Sequence, residues 1–294
     1  MRITQRAVAL TSLNGLNRNL EAVGKLQQQL TSGRLISAPS DSPTGTNKAM
    51  QIRADQTAAA QQNRNIADAK SWLDQTDSAL REMSDTARRV RDLTVQGLNT
   101  GFSTAGSMQA LSAETASLRE GLLSLANVSV QGRPLFGGVT PGAKAYDSTT
   151  GAWLGTAGAP IERRISDAET LRVDLTGPEA FGTPGNDLFA IVGRIADHMV
   201  TDPSLLAADL TDLDVAMKAM TAAQANVGAR ASRLERVEQV NADRQLTLHS
   251  ALAETENIDL PNTIMNLEMQ KVGYEAALAA TAKALQPTLL DFLR

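Results

Sequence analysis

His198 and His249 are the only imidazoles in this 294-residue chain, so metal or acid–base chemistry would have to begin with them. The zinc-protease spacing needs a second histidine one turn along the same face, and neither histidine has one four residues on. Cysteine is absent, which excludes disulfides, thiolate metal sites and a thiol nucleophile together. The stretch GFSTAG, Gly101 to Gly106, places its second glycine one residue too late for a nucleophile elbow. No phosphate-cradling Gly-Lys-Ser/Thr loop occurs, and the carboxylates are dispersed along helical stretches as solvated faces. Asn127-Val128-Ser129 matches a glycosylation acceptor, a tripeptide frequent by chance, and the Ser and Thr residues of the mid-chain segment suit glycans better. The expectation is no enzyme, no metal site and no cofactor.

Composition narrows the partners. A formal net charge of −4 and a pI near 5.3 argue against nucleic acid, whose binding depends on Lys and Arg neutralising phosphates. The densest basic spot, Arg88, Arg89 and Arg91, is flanked by Asp85 and Asp92 and reads as a solvated helix face. No run of 18 apolar residues is present, so no segment reads as a membrane-spanning helix, and the N-terminus lacks the apolar core of a secretory signal. Hydrophobic content is 42%, but five Phe, two Trp and two Tyr leave little to fill a thick core, which favours thin helical bundles.

Apolar spacings of three and four mark helices with a buried seam. Ile3, Ala7, Leu10, Leu13, Leu16, Leu20, Val23, Leu26 and Leu30 form such a stripe over residues 2–32, and Gly33 supplies a stop. In LTSGRLISAPSDSP, Leu30 to Pro43, the residues before Pro39 and Pro43 are biased away from helix. Asp41 and Ser42 can cap a new helix, with Pro43 in its first position. That helix is predicted over Thr44–Leu98, with Ile66, Leu73, Leu80, Ala87 and Thr94 every seven residues and Ala69, Thr76, Met83, Val90 and Gly97 in the companion position. A short breaker precedes a third helix carrying Met108, Leu111, Thr115, Leu118, Leu122 and Leu125, which should lie antiparallel to the second.

Beyond Val128, Gly, Thr and Pro punctuate short strand-like runs: AKAY, AWLG and LRVDL, with DSTTG as a hairpin turn. A small β-rich insert is read over residues 139–185. A short helix over Asp187–Val200 leads to another long one, capped by Ser204, in which Leu206, Leu213, Met220, Val227 and Leu234 hold the register and Asn241 fills a seam position. From Ser204 to Glu254 this would be a rod on the order of 75 Å long. The break ENIDLPN, containing Pro261, precedes a last helix bearing Ile264, Leu267, Tyr274, Leu278, Leu285, Leu289 and Phe292, which Pro287 should kink or leave loose in its final turn.

The fold class expected is mainly α: a long antiparallel coiled-coil rod from both ends of the chain, with the small β-rich insert between. Residues 1–40 with 257–294 would form an inner terminal-helix domain, 41–138 with 186–256 the rod, and 139–185 the insert. Gly33, Pro39, Asp41, Ser42, Pro43 and Pro261 would be the inter-domain joint. Terminal stripes without partners in the monomer mark interaction surfaces, so Ile3, Ala7, Leu10, Leu13, Leu20, Val23 and Leu30, with Ile264, Leu267, Tyr274, Leu278, Leu285, Leu289 and Phe292, are the predicted polymerisation contacts.

LQQQLTSGRLISAPSDSPTG, Leu26 to Gly45, resembles the N-terminal signature of the bacterial flagellin superfamily. That signature often has two adjacent acids where this chain has Asp41 then Ser42. Val227 to Glu235, VGARASRLE, is similar to the same superfamily. LANVSVQGRPLFGG, Leu125 to Gly138, and the closing LPNTIMNLEMQKVGYEAALAATAKALQPTLLDFLR look more like the hook–filament junction branch than like filament flagellins. The resemblance covers about 140 N-terminal and 80 C-terminal residues.

The resemblance implies a structural protein of the extracellular flagellum, exported unfolded without a cleaved signal peptide. It would associate with itself in a ring between the first hook-associated protein and flagellin, its insert facing outward. A cytoplasmic export chaperone would cover the C-terminal helix before export. The rival readings are a filament flagellin and a secreted coiled-coil adaptor or tip protein. Insertion of the ends into membrane is disfavoured, because Lys271, Lys283 and Arg294 are balanced by Glu268, Glu275 and Asp291.

Overall fold

The computed structural model describes residues 5–99, 104–140, 142, 144–156 and 158–284. The predicted contacts Ile3, Leu285, Leu289 and Phe292, Pro287, the breaker residues Thr100–Ser103 and the side chain of Ala7 lie outside that description. The elements, in order, are α1 (Gln5–Ser32), α2 (Pro43–Leu98), α3 (Ala105–Ala126), β1 (Ser129–Val130), β2 (Arg133–Pro134), β3 (Glu162–Arg164), β4 (Thr170–Arg172), α4 (Gly177–Phe181), α5 (Leu188–Thr201), α6 (Leu206–Glu256) and α7 (Leu260–Ala284). The architecture is mainly α with two small two-stranded sheets. The chain divides into two compact units, one of residues up to Ala58 and from Arg244, the other of Ala59–Asp243.

In the central unit the heptads are buried as their spacing requires. Ile66, Leu73, Leu80 and Ala87 of α2 are nearly inaccessible, and so are Leu206, Leu213, Met220, Val227 and Leu234 of α6. The seam hydroxyls of Thr76 and Thr94 donate to the carbonyls of Trp72 and Val90, so their burial leaves no unpaired donor. Asn241 completes the α6 register: it is 4% exposed and donates to the Ala59 carbonyl and to Asn63 Oδ1. The basic cluster is solvated as read, its three side chains each more than a third exposed, and it also makes ion pairs. Arg88 pairs with Asp85, but Arg89 reaches Glu114 on α3 and Arg91 reaches Asp214 on α6, so two of the three arginines tie α2 to its neighbours.

Residues 139–185, expected as an insert of their own, share this unit's core. Tyr146, Ile165, Leu171, Val173 and Phe181 join one buried cluster with Ile66, Leu73 and Leu122. The scarce aromatics are concentrated there: Phe181 packs edge-on to Phe136 at 4.9 Å and to Phe189 at 5.4 Å, and Tyr146 lies 4.7 Å from Phe189. The strand forecast was too generous. Among the described residues AKAY and AWLG meet only at the bridge Tyr146–Trp153, while the DSTTG turn forms as read, with Asp147 accepting the Thr149 and Thr150 amides. LRVDL contributes only Leu171 and Arg172 to β4, which pairs with β3.

One hairpin was missed. β1 and β2 are joined by Gln131 and Gly132 with φ 53° and 78°, the two positive values of a tight two-residue hairpin loop. Ser204 is not the cap of α6. Asp202 Oδ1 takes the Ser204 amide and hydroxyl, a single 3₁₀ turn follows, and α6 starts at Leu206. The cap of the preceding helix is Asp187, which accepts the Ala190 amide.

Candidate assembly surface

The two histidines lie in separate surroundings. His198 Nδ1 lies 2.5 Å from buried Asp209 Oδ2, a pairing that ties α5 to α6, while His249 meets only Gln56 at 3.5 Å. Among the described residues no group of His, Cys, Asp or Glu could hold a metal ion, and no helix is long and apolar enough to cross a membrane. The Asn127 carboxamide is fully engaged. Its nitrogen donates to the Leu123 and Tyr146 carbonyls and its oxygen accepts the Ala145 and Tyr146 amides, so the acceptor tripeptide is a structural corner.

The unit built from the chain ends has a different character. α1 packs on α7. On α1 the inward side is Leu16, Val23, Leu26 and Leu30, all half-buried. Leu10, Leu13 and Leu20 of the predicted stripe instead point outward, each more than half exposed. On α7 Leu267 is buried and Tyr274 half-buried, whereas Ile264 and Leu278 are exposed. The predicted contacts thus divide: Val23, Leu30, Leu267 and Tyr274 serve the monomer, and Leu10, Leu13, Leu20, Ile264 and Leu278 remain open.

The reading from sequence overlooked a further stripe. Met265, Met269 and Val272 are 58%, 63% and 64% exposed and, by their spacings of four and three, share one side of α7, away from Leu267 and Tyr274. A helix apolar on two sides can satisfy only one of them with a single neighbour. Met50 on α2 and Leu246 on α6 add exposed apolar surface to the same unit.

The breaks on either side of this helix pair are joined through the backbone. Gly33 ends α1 at φ +69°, where its amide still reaches the Gln29 carbonyl at 2.8 Å. The chain then runs as a bridge, Arg34 opposite Asn257, with Leu35 N–H donating to the Glu256 carbonyl and Ile258 N–H to that of Gly33. Pro39 lies inside a turn closed by the Asp41 amide on the Ala38 carbonyl. Asp41 does not cap α2. Its carboxylate holds Lys25 at 2.9 Å and accepts the Ser37 and Ala38 amides, so it is pulled down to about 2, chiefly by Lys25. Ser42 is the cap, its Oγ accepting the Gly45 amide ahead of Pro43 at the first helical position. On the returning side Asp259 accepts the Asn262 amide and Pro261 falls in the first turn of α7, so the break itself is Asn257–Asp259. The Glu256 carboxylate, nearly buried, is met by Arg53 at 2.7 Å.

The chain is thus a mainly helical subunit whose central unit is well buried and whose terminal helices keep apolar side chains exposed. The profile of the bacterial flagellin N-terminal helical region matches residues 3–140. It is 25% identical to the flagellin of Bacillus subtilis (strain 168) over 309 residues, covering 100% of both chains. It is 21% identical to flagellar hook-associated protein 3 of Salmonella typhimurium over 306 residues, covering 94% of this chain and 95% of that one. The fold is that of the solved FlgL of Bacillus cereus, with a TM-score of 0.61 at 20% identity over 69% of this chain and 99% of that one.

Proposed function

We propose that this chain is a structural component of the bacterial flagellum that joins hook to filament, associating with copies of itself as a ring. The observation that carries this reading is the outward apolar surface of both terminal helices, Leu10, Leu13 and Leu20 on α1 with Ile264, Met265, Met269, Val272 and Leu278 on α7. Exposed apolar area on this scale marks a surface that another chain covers. The hook side would be met by the first hook-associated protein and the distal side by flagellin. A cytoplasmic chaperone shields α7 before export, since the same face would drive premature aggregation. The paired breaks at Gly33–Pro43 and Asn257–Asp259 act as the joint that lets α1 and α7 adapt to their neighbours.

The test is amide hydrogen exchange on the purified full chain, alone and mixed with isolated hook particles and flagellin. Protection of residues 10–30 and 260–284 that rises only in the mixture supports the reading. Full protection in the isolated chain would make these faces ordinary core and overturn it. A filament role is the second reading, favoured by the 25% identity to a flagellin along the whole chain. Long fibres grown from the pure protein would select it over the junction.

A further inference from the structure

Among the described residues the methionines of the central unit are buried or, at Met217, half-buried. Met83, Met108, Met199 and Met220 are buried in the central unit, at 6% exposure or less. Met50, Met265 and Met269 stand more than half exposed in the unit of the chain ends. Met265 and Met269 sit one helical turn apart on the outward side of α7, beside Val272, while Leu267 and Tyr274 hold the inward side.

We propose that Met265 and Met269 are a modification site at which hydrogen peroxide switches off the outward face of α7 for association with a neighbouring copy of this chain. The proposal rests on the assembly reading above. A thioether sulfur attacks one peroxide oxygen, the O–O bond breaks, and that oxygen stays on sulfur as a sulfoxide while the other leaves as water. Sulfur loses two electrons and the peroxide gains them. The product is a polar, strongly accepting group in place of a flexible apolar one. Burying it against an apolar neighbour, with no donor to meet it, removes the advantage of covering the face. The monomer is spared because the modified side chains lie on the side of α7 turned away from Leu267 and Tyr274. The buried methionines are protected by their packing. Cytoplasmic or surface enzymes that reduce methionine sulfoxide would reverse the change.

The experiment treats the purified full chain with dilute hydrogen peroxide, maps sulfoxides by peptide mass spectrometry, and measures association of copies on isolated hook particles by co-sedimentation, counting the copies bound per particle. The expected result is sulfoxide at Met265 and Met269 well before Met83, Met108, Met199 or Met220, an unchanged thermal melt, and a loss of about tenfold in apparent affinity. Methionine sulfoxide reductase should restore binding, and the double variant Met265→Leu/Met269→Leu should bind before and after peroxide. Sulfoxides at both positions with undiminished binding would overturn the proposal and leave the junction reading intact. A loss that the reductase cannot reverse, or that the double variant shares, would place the damage elsewhere and also overturn it. Failure of the untreated protein to bind hook particles would instead remove the assembly reading and this proposal with it.

Discussion

In the central unit Phe136, Tyr146, Phe181 and Phe189 touch one another beneath a seam of leucines, and more than thirty apolar side chains there are buried. In the unit of the chain ends the buried apolar side chains among the described residues are Ala49, Ile52 and Leu267. Both units are helical and both have leucine-rich sequence, so propensity does not separate them. The separation lies in how much apolar surface finds a partner inside the chain. A region whose open hydrophobes outnumber its buried ones has the composition of half an interface, and polar ties at Glu256, Asp41 and the Arg34–Asn257 bridge supplement the packing of α1 on α7.

The sharpest way to break this comparison is to make large-to-small changes in each unit. Phe181→Ala removes the ring at the centre of the aromatic cluster and should cost about 3–5 kcal/mol, read as a drop in the denaturation midpoint of the central unit. Leu267→Ala, in the thinner core, should cost about 2 kcal/mol. Met269→Ala, on the other side of the same helix, should change monomer stability by less than about 0.5 kcal/mol while weakening association. Equal costs at Leu267 and Met269 would show that α7 does not have one inward and one outward side.

The same contrast decides what was legible in the sequence. Ile66, Leu73, Leu80 and Met220 announced themselves because a continuous seam repeats every seven residues, while the exposed apolar residues of those helices, such as Met50, Val215 and Leu246, are scattered. The aromatic cluster was invisible: Phe136, Tyr146, Phe181 and Phe189 come from irregular segments whose separations carry no period. On the terminal helices periodicity found apolar residues but could not say which face the monomer uses, because α1 and α7 each have more than one. Leu13 and Leu16 therefore looked equivalent, yet one is exposed and the other half-buried. The Met265–Met269–Val272 stripe did have helical spacing, but the reading followed the neighbouring stripe through Leu267 and Tyr274. Three-residue strands such as β3 and β4 fall below the length at which alternation can be recognised.

Glycines sharpen the comparison at smaller amplitude. Gly33 occupies the left-handed region with open space around its missing Cβ, so Gly33→Ala meets no clash and its cost is purely conformational, about 1–2 kcal/mol. Gly15, in the interior of α1, also has nothing near it, and Gly15→Ala should stabilise the helix by about 0.5–1 kcal/mol. Opposite signs from the same substitution, measured by thermal melts of the full chain, would locate the turn of the chain at Gly33. A destabilising Gly15→Ala would mean that α1 is held by something other than helix propensity and its contact with α7.

The smallest expected effect is electrostatic. Asp41 is held at about 2 rather than 3.8, first by Lys25 and then by the Ala38 and Ser37 amides. A carboxylate depressed by folding adds stability above its unfolded value and loses it as pH falls through its folded value. The contribution is therefore whole at neutral pH and fades between about pH 4 and pH 2. Because Lys25 is largely in solvent, salt should shrink the Lys25 share and leave the two amide bonds. The Asp41 carboxyl carbon and the Ser37 and Ala38 amides, followed together by NMR through that window, should move with one midpoint in the wild type. Asp41→Asn should abolish the common transition and leave the acid response of the central unit unchanged. A variant that keeps the transition would show that the turn after α1 is fixed by its backbone bridge to Asn257, with Asp41 a bystander.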